Sequence, residues 1–215
     1  MSGKKLIVGL TGGSGTGKST VSRVFEREGF EIIDYDLISR QVCEKGSDCL
    51  DEICAIFGNG VLNSDSTLNR KALGAIVFSD GEKLRALNTI THKYITLRSE
   101  EILASSDSER FVLDAPLLFE AELEKKCDCV VSVLSGVEKR TERIMQRDSI
   151  SYEYALKRIN SQKKDEFYIE KSDFVIYNNN SVEELNDNTL KIIRDITSHS
   201  YEGFSAAKIY GKDVF

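Results

Sequence analysis

Between Thr11 and Thr20 the chain reads TGGSGTGKST, with four glycines followed at once by Lys18, Ser19 and Thr20. Glycine at that density weakens a helix or a strand, because it loses more backbone freedom on ordering than any other residue. Gly12, four residues, then Gly17, Lys18 and Ser19 satisfy the phosphate-loop pattern G-x-x-x-x-G-K-[ST]. In that pattern the backbone amides of Gly13, Ser14, Gly15, Thr16 and Gly17 face phosphate oxygens. The positive end of the helix that begins with Lys18, Ser19 and Thr20 points at the same charge. Lys18 is predicted to reach the β- and γ-phosphates, and the Ser19 hydroxyl to ligate Mg²⁺. A dinucleotide fingerprint does not fit, since G-x-G-x-x-G counted from Gly13 requires a glycine where Lys18 stands. The loop is expected to hold a nucleoside triphosphate.

Acids and arginines decide what happens to the γ-phosphate. Asp34 and Asp36 end FEIIDYD (30–36), read as a second strand, and two positions apart in an extended chain they share a face. A carboxylate there can take a proton from, or orient, a hydroxyl attacking phosphorus. An aspartate in such a place also serves commonly as a helix N-cap. Asp114, in FVLDAPLLFE (111–120), ends the third expected strand and is a candidate Mg²⁺ holder. A GTPase switch is disfavoured because APLL follows Asp114 and no Asn-Lys-x-Asp occurs. Arg140, Arg143 and Arg147 recur every three or four residues along one helix, and a second helix after Ser151 carries Lys157 and Arg158. Charge runs of this kind are usually solvated faces. Beside a phosphate loop, they fit the lid of a small-molecule kinase, closing guanidinium groups onto the transferring phosphoryl.

These residues need a scaffold. KKLIVGL (4–10) is a short apolar run, as expected of a strand buried on both faces, and leads directly into the loop. KSTVSRVFEREG follows as a helix with Val21, Val24 and Phe25 on one stripe and Gly29 as its stop. Residues 37 to about 109 read as mostly helical, with Leu84, Leu87, Ile90, Tyr94 and Leu97 at helical spacing over 82–103. Strand patterns return at 111–120, at CVVSVL (129–134) and at FVIYNNN (174–180), and a last helix is expected over about Val182 to Ser198. Strands alternating with helices predict a doubly wound α/β fold with a parallel sheet. The tail from Tyr201 to Phe215 is weakly patterned.

The chain of 215 residues is 30% charged and 40% hydrophobic, the balance of a folded globular protein rather than a disordered one. A net charge of -6 argues against a broad nucleic-acid surface, so no nucleic-acid partner is expected. No apolar run reaches the length of a membrane span, and the one near the N-terminus is too short for a signal-peptide core. The expectation is therefore a cytoplasmic protein with no membrane partner. Cys43, Cys49, Cys54, Cys127 and Cys129 show no two-residue metal or redox spacing, which suits reduced structural thiols. His92 and His199 have no second histidine nearby to form a metal pair.

The sum of these motifs resembles the dephospho-coenzyme A kinase family. The resemblance rests on LTGGSGTGKST, IDYDLISRQV, FGNGVLNSDSTLNRKAL, VLDAPLLFE, RIMQRDSISYEYALKRINSQ and SDFVIYNNNS, in order from about residue 5 to 190. It implies ATP-dependent phosphorylation of the ribose 3′-hydroxyl of dephospho-coenzyme A, with ATP and Mg²⁺ as cofactors. It also implies a P-loop kinase core over about 1–36, 110–137 and 172–200, a helical coenzyme A subdomain over about 37–109 and a lid over about 138–171. By the same resemblance Asp36 lies near the acceptor hydroxyl. Arg143 and Arg147 meet ATP phosphates or adenine, and Asp34, Arg40, His92 and Leu117 line the substrate. The family often has His-Pro where this chain has His92-Lys93. A monomer or weak homo-oligomer is expected. The residues alone leave open another small-molecule P-loop kinase, acting on a nucleoside or hydroxy acid, and a non-catalytic nucleotide-binding regulator.

Overall fold

Leu6–Thr11 forms β1, the strand from which the phosphate loop departs, in the computed structural model, which describes residues 5–198 and 207–211. The chain divides into two units, one of residues 1–32 and 108–215 and one of residues 33–107. His199 and much of the tail lie outside the described residues.

The first unit is built on a six-stranded sheet in the order β2-β3-β1-β4-β5-β6. The remaining strands are β2 (Glu31–Asp34), β3 (Arg110–Asp114), β4 (Cys129–Leu134), β5 (Phe174–Tyr177) and β6 (Lys208–Tyr210). β1 pairs in parallel with β3 on one side and β4 on the other, β4 with β5, and β5 with β6. β1 is therefore the strand at which the order reverses. The carboxyl end of such a switch point is where open α/β sheets bind ligands. The register sets Leu10 opposite Asp114 and Thr11 opposite Ser132, so the strand ends that flank the loop lie side by side.

The helix α1 (Lys18–Arg27) buries Val21, Val24 and Phe25. They pack with sheet residues Val8, Leu10, Val112, Val131 and Ile176, and with Leu185, Ile192, Ile193 and Ile196. The last four belong to α9 (Val182–Thr197). Phe25 and Phe30 meet edge to face with centroids 5.1 Å apart, which adds roughly 0.5–1.5 kcal/mol to the burial of both rings. Gly29 takes the left-handed conformation at φ 86° just past α1, as its reading as a stop requires.

Three helices separate β4 from β5: α6 (Val137–Asp148), α7 (Tyr152–Asn160) and α8 (Asp165–Lys171). α6 and α7 share a small core of Ile144, Ala155 and Ile159. α8, which was not foreseen, lies against β4 and β5. Its sequence, DEFYIEK, is dominated by charge, and its buried face reduces to Tyr168.

The second unit starts with α2 (Tyr35–Gln41), followed by α3 (Asp48–Phe57), α4 (Arg70–Val77) and α5 (Gly81–Ser105). Side chains of Asp34, Ser47, Asn69 and Asp80 cap the four helices by accepting from backbone N–H groups. Cys43, Cys49, Ile53, Val61, Leu73, Val77 and Ile90 form its core, with Leu84, Leu87 and Tyr94 packed against them. Leu97 departs from the expected buried stripe and is about half exposed. All five cysteines lie outside disulfides, and the Sγ atoms of Cys43 and Cys49 are 3.6 Å apart in this core.

Four expected boundaries need correction. The second strand stops at Asp34 rather than running to Asp36, because Asp34 caps a helix whose Tyr35 and Ile38 are buried one turn apart. Asp34 and Asp36 therefore do not share the face of an extended strand. The third strand ends at Asp114, as expected of that aspartate, but the strand pattern drawn on to 120 does not continue: Pro116, which has no N–H to donate, opens a turn over 116–122. β5 ends at Tyr177, ahead of the asparagine turn. The weakly patterned tail contributes β6, which Lys208 and Tyr210 tie to Asp195 of α9.

Candidate active site

The phosphate loop leaves β1 at Thr11 and enters α1 at Lys18. Thr16 closes it: its N–H and its hydroxyl both donate to Gly13 O, at 3.3 and 2.9 Å. Gly17 sits at φ 96°, where a Cβ would collide with Asn178 Nδ2. Gly15, at φ 77°, passes so close to α6 that a Cβ would lie 2.7 Å from Arg140 O. Both positions demand glycine on conformational and on steric grounds. Gly17 offers no side-chain cap and the first turn of α1 holds no acid, so the positive end of this helix is left to an anion. Ser19 is exposed and Thr20 half-buried in that turn.

Lys18 Nζ is ion-paired with Asp114, and both side chains are largely shielded. The first residue of α1 and the last of β3 thus meet directly. The carboxylate that the sequence offered as a metal holder faces the lysine that it offered to phosphate.

Of the three arginines that spacing places on one side of α6, Arg140 and Arg143 both reach the phosphate loop, whereas Arg147 pairs with its neighbour Asp148. Arg140 is 5% exposed. Its Nε donates to Ser14 O at 2.9 Å and its Nη2 to Gln162 Oε1 at 2.6 Å. Arg143 is half-buried and donates to Gly15 O (3.1 Å), Ser135 Oγ (3.2 Å) and Asn178 O (3.2 Å). Burial pushes both guanidinium pKa values down, yet carbonyl and hydroxyl acceptors keep the charged forms satisfied. Arg147 is exposed and grips Asp148 with two bonds of 2.7 and 2.9 Å. Arg158 of α7 pairs with the same carboxylate. Hydrogen bonds from Arg147, reinforced by Arg158, hold the Asp148 carboxyl well below the usual carboxylate range.

Two residues for which the sequence suggested no role hold the loop. Asn178 Nδ2 donates to Thr16 O at 2.8 Å. Gln162 Oε1 accepts from Ser14 N at 3.0 Å, and its Nε2 donates to Ser14 Oγ at 3.2 Å. No local spacing assigns them this role, because the bonds join residues 148 and 162 positions apart in the chain.

In the second unit Asp34 is exposed, and its Oδ1 accepts from Leu37 N at 2.9 Å. Asp36, in the first turn of α2, and Arg40, in its last, are both exposed. His92 is exposed on α5, against which α2 packs. Its neighbour Lys93, together with Tyr94, bonds Glu52 at 2.8 Å. Leu117, in the first unit, is exposed in the turn after β3, whereas Leu118 and Phe119 beside it are buried. The structure thus brings the loop, Lys18, Asp114 and Arg143 together within the first unit, while Asp34, Asp36, Arg40 and His92 belong to the second.

Comparison with known proteins gives a consistent picture. The family model described as dephospho-CoA kinase matches residues 6–184. A dephospho-CoA kinase of Listeria innocua is 42% identical over 189 residues, which is 86% of this chain and 94% of that protein. A crystal structure of a Thermus thermophilus protein superposes with a TM-score of 0.80 at 30% identity, covering 89% of this chain and 97% of the other. A dephospho-CoA kinase of Campylobacter jejuni superposes with a TM-score of 0.63, also at 30% identity, covering 88% and 96%. The chain belongs to the dephospho-CoA kinase family.

Proposed function

We propose that the protein transfers the γ-phosphoryl group of ATP to the ribose 3′-hydroxyl of dephospho-CoA, giving CoA and ADP, the last step of CoA biosynthesis. The observation that carries this reading is a complete phosphate loop at the sheet's switch point, in a chain matched to the family over 6–184. Phosphoryl transfer asks little covalent chemistry of the protein and much positioning and charge neutralisation. The loop amides and Lys18 receive the β- and γ-phosphates. Asp36 accepts the proton of the 3′-hydroxyl as that oxygen bonds to the γ-phosphorus and the bond from phosphorus to the ADP oxygen breaks. Arg143, already fixed beside Gly15, adds positive charge where negative charge accumulates.

Ser19 and Asp114 fit a magnesium ion carried mainly by phosphate oxygens: hard oxygen donors, a hydroxyl in the first turn of α1 and a carboxylate at the end of β3. A magnesium ion held there would supply neutralisation of phosphate charge. We take the second unit as the part that receives the coenzyme A portion, with Asp34, Arg40 and His92 on it, Leu117 as a further contact in the first unit, and α6–α8 as the lid. The reading carries a cytoplasmic location, which the absence of any helix long and apolar enough to cross a membrane among the described residues is compatible with.

The test is ADP release from Mg-ATP with purified protein and, as acceptors, dephospho-CoA, adenosine, uridine and shikimate. Turnover confined to dephospho-CoA, with the new phosphate at the 3′ position, is the expected result. Turnover with another acceptor alone would discard the substrate assignment.

A further inference from the structure

Gln162 lies just beyond α7, and its backbone N–H already closes that helix on Ile159 O at 3.0 Å. The side chain plays no part in that closure. Its carboxamide instead reaches Ser14, 148 residues away in sequence. Oε1 accepts from Ser14 N at 3.0 Å and from Arg140 Nη2 at 2.6 Å, while Nε2 donates to Ser14 Oγ at 3.2 Å. Arg140 Nε takes the remaining group, Ser14 O, at 2.9 Å. Two side chains thus hold the N–H, the carbonyl and the hydroxyl of one loop residue. The amide orientation follows from the network, because the reversed carboxamide would set its NH₂ against two donors. The same pair covers the neighbouring turn, where a Cβ on Gly13 would lie 2.5 Å from Arg140 Nη2 and 2.8 Å from Gln162 Oε1. A buried guanidinium that lost an acceptor here would be left with an unsatisfied donor, which is costly in a shielded place.

We propose that Gln162 is a positioning residue for phosphoryl transfer: with Arg140 it fixes the Ser14 peptide, and through it the loop whose other amides receive the ATP phosphates. The proposal rests on the ATP-dependent reading given above. A loop already held in its binding shape spares the ordering that a mobile loop would undergo on meeting phosphate, so Gln162 acts on nucleotide affinity. It also ties the end of α7 to the loop, and so links the lid to the seating of the nucleotide.

The experiment compares Gln162→Leu and Gln162→Glu with the unsubstituted protein. It reads ATP affinity by calorimetric titration, KM for ATP and for dephospho-CoA separately, and the melting temperature. Gln162→Leu is expected to weaken ATP binding by about tenfold or more, the effect of losing hydrogen bonds that include a charged partner. KM for dephospho-CoA should stay where it was. Gln162→Glu keeps an acceptor for Ser14 N–H and for Arg140, and should recover most of the affinity. Unchanged ATP affinity in Gln162→Leu overturns the proposal. So do equal losses in the two variants, or a matching rise in KM for dephospho-CoA. If Gln162→Leu yields no folded protein, Arg140→Lys answers the same question, because lysine keeps the charge but cannot span Ser14 O and Gln162 Oε1. Weaker ATP binding then supports the proposal, and unchanged binding overturns it. Absence of dephospho-CoA turnover by the unsubstituted protein would sink the acceptor assignment and leave the nucleotide titration to judge Gln162.

Discussion

Lys18 at the start of α1 and Asp114 at the end of β3 form an ion pair beneath the phosphate loop. A single contact thus links the two charges that we assign to the triphosphate and to magnesium. An ammonium paired in this way is held in place before the nucleotide arrives, and the carboxylate is kept from being an unpaired shielded charge. Lys18→Met should lower kcat by about 10²–10³-fold, the range seen when one preorganised charge donor is removed from a transition state. Asp114→Asn preserves shape but halves the pair, and should raise the Mg²⁺ concentration needed for half-maximal rate by about tenfold. Steady-state rates across a magnesium titration check both, and an unaltered magnesium requirement in Asp114→Asn would remove Asp114 from the metal site.

Asp36→Asn separates catalysis from binding. The substitution keeps the side-chain shape and removes the proposed proton acceptor, so turnover should fall by about 10²–10⁴-fold. ATP affinity should be preserved, since the loop, Lys18 and Asp114 all lie in the other unit. Single-turnover rates and a nucleotide titration on the same preparation measure the two quantities. Full activity in Asp36→Asn would show that another group takes the proton.

The phosphate loop was legible because its chemistry is local: spacing alone specifies glycine at the crowded, left-handed position 17 and a lysine one step later. β4 is legible at its observed ends, because a run of six residues, all buried and apolar but for Ser132, is bounded by Asp128 and Ser135. The Asp34–Asp36 segment misled because an N-capping aspartate and a strand-end aspartate look alike, and only the burial of Tyr35 with Ile38 decides for helix. β6 has three residues, too few for a period to show. Gln162 was silent for another reason, and Arg140 was legible only as one of the lid arginines. Their joint hold on Ser14 is a hydrogen-bond geometry across the folded chain, which local spacing does not announce.

Gly17 and Gly29 share a positive φ, 96° and 86°, but differ in surroundings. A Cβ at Gly29 would meet nothing within 4 Å, whereas one at Gly17 would strike the amide of Asn178. Gly29→Ala should therefore lower stability by about 1–2 kcal/mol through backbone strain alone and leave the rate unchanged. Gly17→Ala carries the same strain and also breaks the Asn178 bond to Thr16 O, so ATP binding should be lost. Thermal unfolding and nucleotide titration of the two variants provide the comparison. Equal behaviour in both assays would mean that the contact with Asn178 does not shape the loop.

The thiol of Cys127 offers a test in alkaline solution. Burial, aided by the charges of Asp128 and Glu124, pushes its pKa from 9.0 up to about 12. Its Sγ contacts Leu123 O at 3.3 Å, where the neutral thiol can donate. A group whose folded pKa lies above its unfolded value contributes stability that is fully present below the unfolded pKa and is lost as pH rises through the folded one. The window therefore runs from 9.0 to about 12. Within it the unfolded chain has released a proton that the folded chain retains, and stability falls by up to about 1.4 kcal/mol per pH unit for this thiol. Cys127→Ala removes the titration at the expense of a small cavity. Its melting temperature should start lower near neutrality and then decline less steeply than that of the unsubstituted protein as pH rises above 9.0. Parallel declines in the two proteins would show that this thiol ionises as readily in the fold as out of it.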